Sequence, residues 1–479
     1  MLKVLFIKPK SWVIRKVAVP PLGIMYIAAY LRDYFKDDIA IKIIDNRLCE
    51  YNEEELYGCI RDFEPSMVGI SSITVEAEDM HAAARAAKRF NREIVVIAGG
   101  PHPTQYYDEV ILDRNIDALV LGEGELTVLD LVKNYMSGKG YDGVKGILLL
   151  RDGRVIRTPA RELIPNLDLL PFPAWDLIDI KAYSRIHSMS MAYPRKYMVL
   201  FTSRGCPYKC IYCHGLFGRA VRVRSVANVS KEIETLVNEY HISNFEIIDD
   251  IFNFDYTRAQ EIMDFIISRP YKIKFSFPNG LRSDLLDYNM LHKMKKAGVV
   301  FISFAIETAS KRMQQVIDKK VKLDKAKEAI RIASKLKILT NGFFMLGFPG
   351  ETRQDMSLTI DFAVRSKLDT AYFFIVTPFK GTPIFENNKE LIKNRFNNIS
   401  YKNYSYFRGF FNLSDVQTNE LIEIQQRAYL KFYFSPKRII KIVIRFLRLE
   451  KGFFLLVDIS LMMLLLIFMR KLDKTKCAA

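Results

Sequence analysis

The chain has 479 residues, which is too long for one ordinary core, so we expect two or three domains. Hydrophobic residues make up 49% of the sequence and charged residues 26%, which is typical of a globular protein and excludes a long disordered arm. The 71 Lys and Arg residues against 54 Asp and Glu give a formal charge of +17. This excess suggests an anionic partner, such as nucleic acid, a membrane surface or a phosphorylated substrate.

Residues 1–140 alternate short apolar runs with helix-like stretches, which predicts a doubly wound, Rossmann-like α/β domain. The runs are rich in Val and Ile, as buried parallel strands are, and cover 3–7, 41–44, 67–71, 94–98 and 118–121. The helical patterns between them cover 23–35, 53–63, 75–90 and 125–136. No glycine-rich dinucleotide motif follows the first run, so we expect no nicotinamide or flavin site.

Polar and glycine-rich residues follow three of these runs, at the edge where such sheets bind ligands. Small residues there allow the backbone to approach a ligand closely and direct its amides toward it. The candidate binding residues are Ser71, Ser72, Thr74, Gly99, Gly100, His102, Gly122 and Glu123.

Residues 141–196 are interpreted as a connector between domains. Within it, residues 143–157 predict a small hairpin with Asp152 and Gly153 as its turn. The Pro-rich and aromatic stretch 166–176 predicts an ordered strap that packs one domain on the other.

Residues 197–390 repeat a strand-then-helix pattern at longer spacing. The predicted strands cover 198–202, 244–248, 274–277, 299–306, 342–346 and 371–376, with helices between them, for example at 230–240, 284–297 and 322–336. About six such units predict a partial (β/α)6 barrel, whose active residues lie at the carboxyl ends of the strands. Polar groups that can hold a zwitterionic, cationic nucleoside follow these strands, at Asp249, Asn279, Arg282, Glu307, Gly347 and Gly350.

A cysteine motif, C-x3-C-x2-C, follows the first predicted strand of this second domain. It consists of Cys206, Cys210 and Cys213, and Gly205 and Pro207 favour the turn that brings the three thiols toward one centre. Three soft thiolates suit an iron–sulfur cluster or zinc.

Two other interpretations of the motif are a structural zinc site and a cluster of cysteines without a metal. A structural zinc site normally takes a fourth ligand from a second Cys or His pair, and no such pair follows, although the adjacent His214 is a candidate ligand. The cysteines can also be buried residues without a metal. Half of the six cysteines of the chain fall within this loop, which favours an iron–sulfur cluster over both alternatives.

The cysteine motif, with Tyr212 before its last cysteine, resembles the cluster loop of the radical S-adenosylmethionine (radical SAM) enzymes. In that family the three cysteines bind a [4Fe–4S] cluster, and the amine and carboxylate of SAM chelate its fourth iron. One-electron reduction then cleaves SAM to a 5′-deoxyadenosyl radical. The resemblance implies an electron donor of the flavodoxin or ferredoxin type.

The same resemblance implies which residues bind SAM. Asp249 follows the second strand, where the family contacts the amino group, although the usual G-G-E triplet is replaced here by an Ile-Asp-Asp sequence. Asn279, Arg282 and Glu307 correspond to contacts with the methionine and ribose. The 347–350 loop corresponds to the adenine contact, and Tyr212 is expected to pack the cluster loop with its backbone near adenine. The alternative for Asp249 and Arg282 is a structural ion pair at the barrel rim.

The set PPLGIMYIAAYL, GISS, AGGPHPT and LGEGE resembles the cobalamin-binding domain that precedes some radical SAM domains, and it covers residues 1–140. Many cobalamin domains ligate cobalt through the histidine of a D-x-H-x-x-G motif. Here Asp79 and His81 are followed by Ala84 in place of Gly, so His81 is interpreted as a surface residue of a helix. The resemblance is thus to the group that lacks the motif, in which no protein histidine binds cobalt. His102 is the other candidate ligand, and its alternative is a turn histidine whose hydrogen bonds are satisfied within the protein.

The tail, residues 391–479, is predicted to be helical and to contact a membrane through residues 437–470. A basic amphipathic helix is typical of a membrane surface, and its cations are Lys437, Arg438, Lys441, Arg445 and Arg448. The run 453–469 contains one charged residue, Asp458, and is at the lower limit for a spanning helix, so we expect an interfacial or re-entrant segment. The alternative is a helix pair that packs on the barrel or forms a dimer interface.

Together these patterns indicate a cobalamin-dependent radical SAM methyltransferase. The resemblance implies that the radical abstracts hydrogen from an unactivated carbon, and that cobalamin delivers a methyl group there and is remethylated by a second SAM. An apolar tail suggests a hydrophobic substrate such as an isoprenoid, a hopanoid-like lipid or a tetrapyrrole. The scattered Cys49, Cys59 and Cys477, without a signal peptide, predict a cytoplasmic protein at the inner face of the membrane.

Three alternatives remain open at this stage. The first keeps the architecture without methyl transfer, as in the anaerobic magnesium-protoporphyrin cyclase, which shares this domain order. The second is a transfer-RNA methylthiolating enzyme, which needs a further N-terminal cluster; Cys49 and Cys59 are too few for it, and we therefore expect no nucleic-acid partner. The third, from a different class, is a non-catalytic cobalamin or iron–sulfur sensor at a membrane.

Overall fold

The computed structural model describes residues 1–10, 17–190, 196–396, 400–404, 411–447 and 457. The chain divides into two compact units. Unit 1 comprises residues 1–184, 201–241 and 377–405, and unit 2 comprises the described residues of 185–200, 242–376 and 406–479. The cysteine motif therefore belongs to the same unit as the N-terminal sheet, a grouping that differs from the predicted boundaries at 140, 196 and 390.

Unit 1 is built on a seven-stranded sheet with the order β2-β1-β3-β4-β5-β6-β7. Its strands are β1 (Leu2–Lys8), β2 (Ile39–Asp45), β3 (Met67–Ser71), β4 (Val95–Gly99), β5 (Ala118–Val120), β6 (Ile147–Arg151) and β7 (Arg154–Arg157). The first five are parallel and the last two join antiparallel. The order of the parallel strands is that of a doubly wound fold, which confirms the predicted fold class.

Apolar cores cover both faces of this sheet, which explains the nearly continuous apolar runs. In β1, Leu5 and Ile7 point into one core, whereas Val4 and Phe6 point into the other. Successive side chains of a strand alternate between faces, so only a strand that is apolar throughout can supply both cores.

Helices connect the parallel strands of unit 1. They are α1 (Leu22–Phe35), α2 (Asn46–Cys49), α3 (Glu53–Phe63), α4 (Ala77–Phe90), α5 (Pro101–Gln105), α6 (Tyr107–Val110) and α7 (Glu125–Met136). The start of α3 is set by a capping box: Asn52 Oδ1 accepts from Glu55 N at 3.0 Å, and Glu55 Oε2 accepts from Asn52 N at 2.8 Å. Both bonds satisfy amides that the first helical turn leaves unpaired.

The predicted hairpin is present, but it extends the N-terminal sheet instead of lying in a connector. Its turn has two residues with positive φ, Asp152 at 52° and Gly153 at 73°, as a two-residue hairpin turn requires. The predicted strap packs on α1, where Ala174 N donates to Met25 O at 3.2 Å and Trp175 is buried. The short helix α8 (Ile180–Tyr183) follows the strap.

Unit 1 also contains the segment around the cysteine motif and a later crossing segment. The first has two short strands, β9 (Ser203–Arg204) and β10 (Arg222–Val223), followed by α9 (Val226–Asn238). The crossing segment contains α15 (Pro383–Glu386) and α16 (Lys389–Phe396).

Unit 2 is built on a six-stranded parallel sheet with the order β15-β14-β13-β12-β11-β8. Its strands are β8 (Tyr197–Leu200), β11 (Asn244–Ile247), β12 (Lys274–Leu281), β13 (Val299–Glu307), β14 (Leu339–Leu346) and β15 (Thr370–Ile375). All six correspond to predicted strands. Sequential order with all strands parallel is the arrangement of a partial (β/α) barrel.

Helices follow these strands and then cover the edge strand β15. They are α10 (Tyr256–Ile267), α11 (Tyr288–Lys296), α12 (Lys311–Val316), α13 (Leu323–Lys335), α14 (Arg353–Arg365), α17 (Thr418–Tyr433) and α18 (Pro436–Leu447). Two hydroxyls of α17 pair with the edge: Tyr433 accepts from Ala371 N and Tyr429 accepts from Phe373 N, both at 3.1 Å. The helical tail thus satisfies backbone groups that an edge strand leaves unpaired.

Candidate functional site

The cysteine loop, residues 205–221, is closed at its base by the antiparallel pair β9 and β10. Gly205 has a φ of 92°, and a Cβ at this position would lie 2.3 Å from Ala220 O. Only glycine fits where the two sides of the loop approach each other, because any side chain would collide with backbone.

The loop holds its three cysteines at different depths. Cys206 is half-buried and its N donates to Gly218 O at 3.2 Å; Cys210 is buried; Cys213 is exposed, and its N donates to Cys210 O at 3.1 Å. In the part of the chain that the structure describes, no three His, Cys, Asp or Glu side chains converge as they do around a single ion. A loop that carries three thiols at different depths fits a [4Fe–4S] cluster, because each cysteine binds a different iron of the cube.

His214 directly follows the motif and packs against an aromatic ring. The ring of His214 lies 5.3 Å from that of Phe379, and burial lowers its pKa to about 4, so the imidazole is neutral. Tyr212 is half-buried. On the far side, Ile384 N donates to Ile211 O at 2.9 Å, which fastens the start of α15 to the loop.

Buried ion pairs join the cysteine loop to the loop after β5. Arg204 Nη1 lies 2.9 Å from Glu123 Oε1, and its Nη2 lies 2.6 Å from Glu125 Oε1. Arg222 also pairs with Glu123 at 2.9 Å, and Ile164 N donates to Glu123 Oε2 at 2.8 Å. Burial opposes ionisation of Glu123, but its bonds to Arg222 and Arg204 hold its pKa below the usual value. The charged groups are therefore paired where the two loops meet.

The loops after β3 and β4 pack against each other at the carboxyl edge of the N-terminal sheet. Ser72 N donates to Gly99 O, and His102 N donates to Ser72 O, both at 3.1 Å. Gly100 has a φ of 91°, and a Cβ there would lie 2.9 Å from Ser71 Oγ and from Ser72 O. The structure thus brings these predicted binding residues together, and the contact requires glycine.

The neighbouring positions leave space at this edge. Thr74 begins a 3-10 turn directly after the β3 loop. Gly122 N donates to Thr104 Oγ1 at 3.4 Å, and a Cβ on Gly122 would meet no atom within 4 Å. The strand order places the topological switch point between β1 and β3, next to these loops. An edge of small residues and backbone fits a bulky ligand such as cobalamin.

His102 lies on α5, buried against aromatic rings. Its ring stacks on Tyr106 at 4.8 Å and meets Tyr401 edge-on at 4.9 Å, and burial lowers its pKa to about 3. Neither of its ring nitrogens has a hydrogen-bond partner among the described residues. The imidazole is therefore neutral, the form in which histidine binds a metal, and its role as a cobalt ligand stays a prediction. His81 lies on α4 and bonds Asp113 at 2.6 Å, as expected for a helix residue.

Two predicted SAM-binding residues of unit 2 meet at the carboxyl ends of β11 and β12. Asn279 Nδ2 donates to Ile248 O at 3.3 Å and to Asp249 O at 3.0 Å, and the Asp249 side chain is buried. The register of β12 on β13 shifts between Phe277 and Leu281. Extra residues at such a bulge change the direction of a side chain, and here the Asn279 amide is directed toward the backbone after β11. The bulge also explains why the sequence predicted an end of this strand at residue 277.

Arg282 is held in place by its neighbours. Its Nε donates to Asp284 Oδ1 at 3.0 Å and its Nη2 donates to Lys320 O at 3.1 Å, while Arg282 N and O both bond the side chain of Asn253. The Arg282–Asp284 pair corresponds to the structural alternative weighed for this residue.

Glu307 ends β13 in a strained conformation. Its φ is 64°, a value rare for residues other than glycine, and the strand register shifts just before it. Its carboxylate accepts from Lys319 Nζ at 2.7 Å, and both side chains are 9% exposed. Strain of this kind costs about 1–3 kcal/mol and is concentrated at ligand sites. The partner lysine was not identified from the sequence.

The glycine loop after β14 contains a second residue that the sequence did not single out. Gly347 has a φ of 95° and Gly350 a φ of 65°. The carboxylate of Glu351, which is fully buried, accepts from Gly347 N at 2.7 Å and Phe348 N at 3.1 Å, and burial raises its pKa to about 8. Glu351 therefore shapes the loop. The glycines of this loop predict a turn, but they do not predict that a buried carboxyl four residues after Gly347 accepts hydrogen bonds from its backbone.

The residues at this rim fit SAM, which carries an amine, a carboxylate, a ribose and an adenine. Carboxylates at Asp249 and Glu307, the amide of Asn279 and the open backbone of the Gly347 loop follow adjacent strands of one sheet. Each group matches one part of this zwitterionic nucleoside.

Two family models match the chain. The model described as the radical SAM superfamily matches residues 200–363, and the model described as the B12 binding domain matches residues 15–132. The first match covers the cysteine motif, and the second covers strands β2 to β5 of the N-terminal sheet.

Several relatives match most of the chain. A protein named "uncharacterized methyltransferase PH0819", from Pyrococcus horikoshii, is 31% identical over 92% of this chain and 94% of its own length. Cytidylyl-2-hydroxyethylphosphonate methyltransferase from Streptomyces wedmorensis is 28% identical, and the match covers 88% of each. Anaerobic magnesium-protoporphyrin IX monomethyl ester cyclase from Rubrivivax gelatinosus is 26% identical over 87% of this chain and 74% of its own length.

Solved structures share the fold at low sequence identity. The radical SAM methyltransferase TsrM from Kitasatospora setae, solved with cobalamin and a [4Fe-4S] cluster bound, has a TM-score of 0.68 at 16% identity, over 82% of this chain and 76% of that one. The cobalamin-dependent radical SAM enzyme OxsB, solved with aqua-cobalamin and SAM bound, has a TM-score of 0.65 at 18% identity, over 89% of this chain and 61% of that one.

The cysteine loop, the rim of the partial barrel and the cobalamin-type sheet thus coincide with two family matches and with a relative that spans nearly the whole chain. The chain belongs to the radical SAM superfamily, among its members with a B12 binding domain, and is a cobalamin-dependent radical SAM enzyme that uses a [4Fe–4S] cluster, SAM and cobalamin.

Proposed function

We propose that this enzyme methylates an unactivated carbon of a hydrophobic small molecule. The observation that carries the proposal is the buried junction in unit 1, where Arg204 and Arg222 bind Glu123 and Glu125. It fastens the loop that carries the cluster ligands to a loop of the cobalamin-type sheet. A radical source and a methyl carrier that act on one carbon need such a fixed spacing.

When bound, the cofactors supply the radical that removes hydrogen and the methyl group that replaces it. The chain supplies ligands and orientation. Cys206, Cys210 and Cys213 hold the cluster on a loop closed by β9 and β10. The small residues after β3, β4 and β5 would hold cobalamin by backbone contact, where Gly100 lets the β3 and β4 loops pack together and Gly122 leaves open space.

Residues of the second unit orient SAM in this proposal. Asp249 and Glu307 accept from its amine and ribose, Asn279 bonds its methionyl part, and the loop shaped by Glu351 presents backbone to adenine. Arg282, already paired with Asp284, acts by holding the β12 bulge in place. An electron donor of the flavodoxin or ferredoxin type, in the cytoplasm, delivers the electron.

A hydrophobic substrate is proposed from the composition of the tail. The run 453–469 contains Asp458 and Ser460 as its only polar residues, and apart from Val457 it lies outside the described residues. The names of the relatives do not fix a substrate class, because one acts on a cytidylyl phosphonate and another on a magnesium porphyrin ester. Isoprenoids, hopanoid-like lipids and tetrapyrroles remain the substrates to test.

The test is an anaerobic assay of the reconstituted enzyme with SAM that carries a deuterated methyl group, a strong reductant and extracted lipids or tetrapyrroles. We expect 5′-deoxyadenosine, S-adenosylhomocysteine and a product heavier by one deuterated methyl. Asp249→Asn and Cys213→Ala are expected to abolish all three. Methylation confined to water-soluble compounds would contradict the hydrophobic substrate.

The same assay separates the alternatives. The relative named as a cyclase favours a C–H transformation without methyl transfer, which would give 5′-deoxyadenosine and an unlabelled product lacking hydrogen. A non-catalytic sensor would give neither 5′-deoxyadenosine nor S-adenosylhomocysteine under strong reductant.

A further inference from the structure

Three basic side chains of α18 point toward the rest of unit 2. Arg438 Nη2 donates to Val364 O at 2.7 Å and to Ser366 O at 3.3 Å, and its Nη1 donates to Leu368 O. Its guanidinium also lies 3.8 Å from the centroid of Phe432. Val364 belongs to the last turn of α14, whose carbonyls have no partner within their own helix, so Arg438 caps that helix.

Two more cations of α18 bind the same region. Arg445 Nη1 lies 2.6 Å from Asp369 Oδ2, and its Nη2 donates to Ser334 O in the last turn of α13. Lys441 Nζ lies 2.8 Å from Asp369 Oδ1 and donates to Lys367 O at 2.6 Å. Cations are favourable at the carboxyl ends of helices, where the helix dipole is negative. Arg438, Lys441 and Arg445 therefore serve to dock α18.

This arrangement corrects the interpretation of the basic pattern. The sequence assigned the cations to a membrane surface, and for Arg438, Lys441 and Arg445 that assignment is wrong, because they bind carbonyls and a buried carboxylate. Sequence spacing shows that cations share a face, but not which surface that face meets.

The opposite face of α18 is apolar and exposed. Ile440 is 60% exposed, Leu447 59% and Ile444 48%, and these residues recur at the three- and four-residue spacing of one helix face. Ile439 is exposed beside them, and Val443 is half-buried. We call these five residues the apolar stripe. Single exposed apolar residues are ordinary, but a contiguous stripe marks an interaction surface.

We infer that the apolar stripe of α18 docks on an anionic lipid surface. Lys437 is exposed at the start of the stripe, and the sequence continues beyond Leu447 with Arg448 and Lys451. Cations beside an apolar helix face match anionic headgroups over acyl chains. The stripe enters the boundary of the bilayer, while the inward cations keep the helix fixed to unit 2.

The composition of the sequence after α18 bears on what covers the stripe. Residues 453–469 are apolar except for Asp458 and Ser460, so one stripe can cover only part of their apolar surface. A segment that is apolar on all sides is stable inside a core or in lipid. Among the described residues, no helix is long and apolar enough to cross a bilayer.

The inference is tested by flotation of the full chain with vesicles of phosphatidylcholine, alone and mixed with phosphatidylglycerol. We expect the chain to float with the anionic vesicles and to release them at high salt, because exposed charges are screened. The variant Ile440→Ser/Ile444→Ser is expected to lower the vesicle partition coefficient by about tenfold or more, since it removes two inserted side chains. The cations that dock α18 are unchanged in this variant.

A matched control is Leu358→Ser on α14, since Leu358 is 49% exposed on the same unit and lies outside the stripe. It is expected to float as wild type does. Thermal unfolding of both variants checks that the fold is retained, and neither cofactor is needed, so failure of the proposed chemistry leaves this test intact.

Three results would overturn the inference. The first is a full chain that binds neither kind of vesicle. The second is equal flotation of the double variant and wild type, which would assign binding to other residues. The third is a stable dimer in solution that the double variant disrupts, which would assign the stripe to a second copy of the chain.

Discussion

The carboxyl-end loops of the two parallel sheets differ in how they prepare for a ligand. In unit 1 the rim consists of small residues and backbone, with Gly100 at its tightest contact, and its nearby carboxylates Glu123 and Glu125 are already paired. In unit 2 the rim carries polar and charged side chains, including Glu307 in a strained conformation and the buried Glu351, whose raised pKa keeps its carboxyl mostly neutral at pH 7.

This difference matches the ligands that we propose for the two rims, cobalamin in unit 1 and SAM in unit 2. A large macrocycle is bound over a wide area, so shape and close backbone approach matter more than single charges. SAM is small and zwitterionic, so a few oriented carboxylates and amides account for its recognition. Substitutions in unit 1 should therefore act through structure and cofactor retention, whereas those in unit 2 should act through affinity and pH.

The largest expected effect is at the junction of the cysteine loop. Arg204→Met leaves Glu125 buried without its cation, with both side chains about as buried as a core residue. Removing one partner of a buried ion pair costs about 3–5 kcal/mol. We expect a lower thermal midpoint and loss of iron from the reconstituted enzyme. Arg204→Lys, which keeps the charge, should lose less thermal stability and less iron than Arg204→Met. An Arg204→Met variant as stable as wild type would contradict the role of the junction.

Gly100→Ala tests the backbone rim. The new Cβ would lie 2.9 Å from Ser71 Oγ, so the β3 loop would have to move. The φ of 91° adds backbone strain of about 1–3 kcal/mol for a residue other than glycine. We expect less cobalt per chain after gel filtration. Gly138→Ala is the control, because its φ is 71° but a Cβ there meets no atom within 4 Å. Equal cobalt loss in both variants would show that the close contact is irrelevant.

Glu351→Gln tests the buried carboxyl of the glycine loop. A pKa of about 8 in the folded chain and 4.5 in the unfolded chain means that the folded chain binds more protons between these values. The stability this contributes is complete below pH 4.5 and is lost as pH rises to about 8, with a slope of at most about 1.4 kcal/mol per pH unit. We expect the thermal midpoint of wild type to fall over this window relative to the variant. Parallel pH profiles would contradict a raised pKa.

Glu307→Gln tests the charged rim. The variant keeps the shape and removes the negative charge, so we expect SAM affinity to fall about tenfold in calorimetry, since charge-assisted bonds are roughly twice as strong as neutral ones. Cobalt content should not change. Glu328→Gln, on the surface of α13, is the control. An unchanged SAM affinity would contradict a role in SAM binding and would show that Glu307 acts only as the structural partner of Lys319.

The fold was largely predictable from the sequence, because buried parallel strands are apolar runs between polar loops. Met67–Ser71 and Glu53–Phe63 were predicted to the residue. The β12 bulge was missed, since Pro278, Asn279 and Gly280 resemble the end of a strand. The hairpin was predicted, but its place at the edge of the sheet depends on a pairing with β5 that local pattern does not contain.

The site was predictable only in part. The cysteine motif is local, so its three ligands and its turn could be identified directly. Long-range ion pairs could not be identified from local pattern. Glu123 pairs with Arg204 and Arg222, which lie about eighty and a hundred residues later in the sequence. For the same reason the surface predicted for three cations of α18 was wrong. A helix pattern shows which side chains share a face, but not which part of the protein that face contacts.

The central claim, that the chain carries both a cluster and cobalamin, is tested most directly by anaerobic reconstitution with iron, sulfide and hydroxocobalamin. Metal analysis and the absorption spectrum are compared for wild type and Cys213→Ala, whose thiol is exposed and therefore changes the fold least. We predict about four irons per chain together with bound cobalt, and a variant that loses iron but keeps cobalt. Zinc in place of iron, or iron without cobalt, would contradict the account.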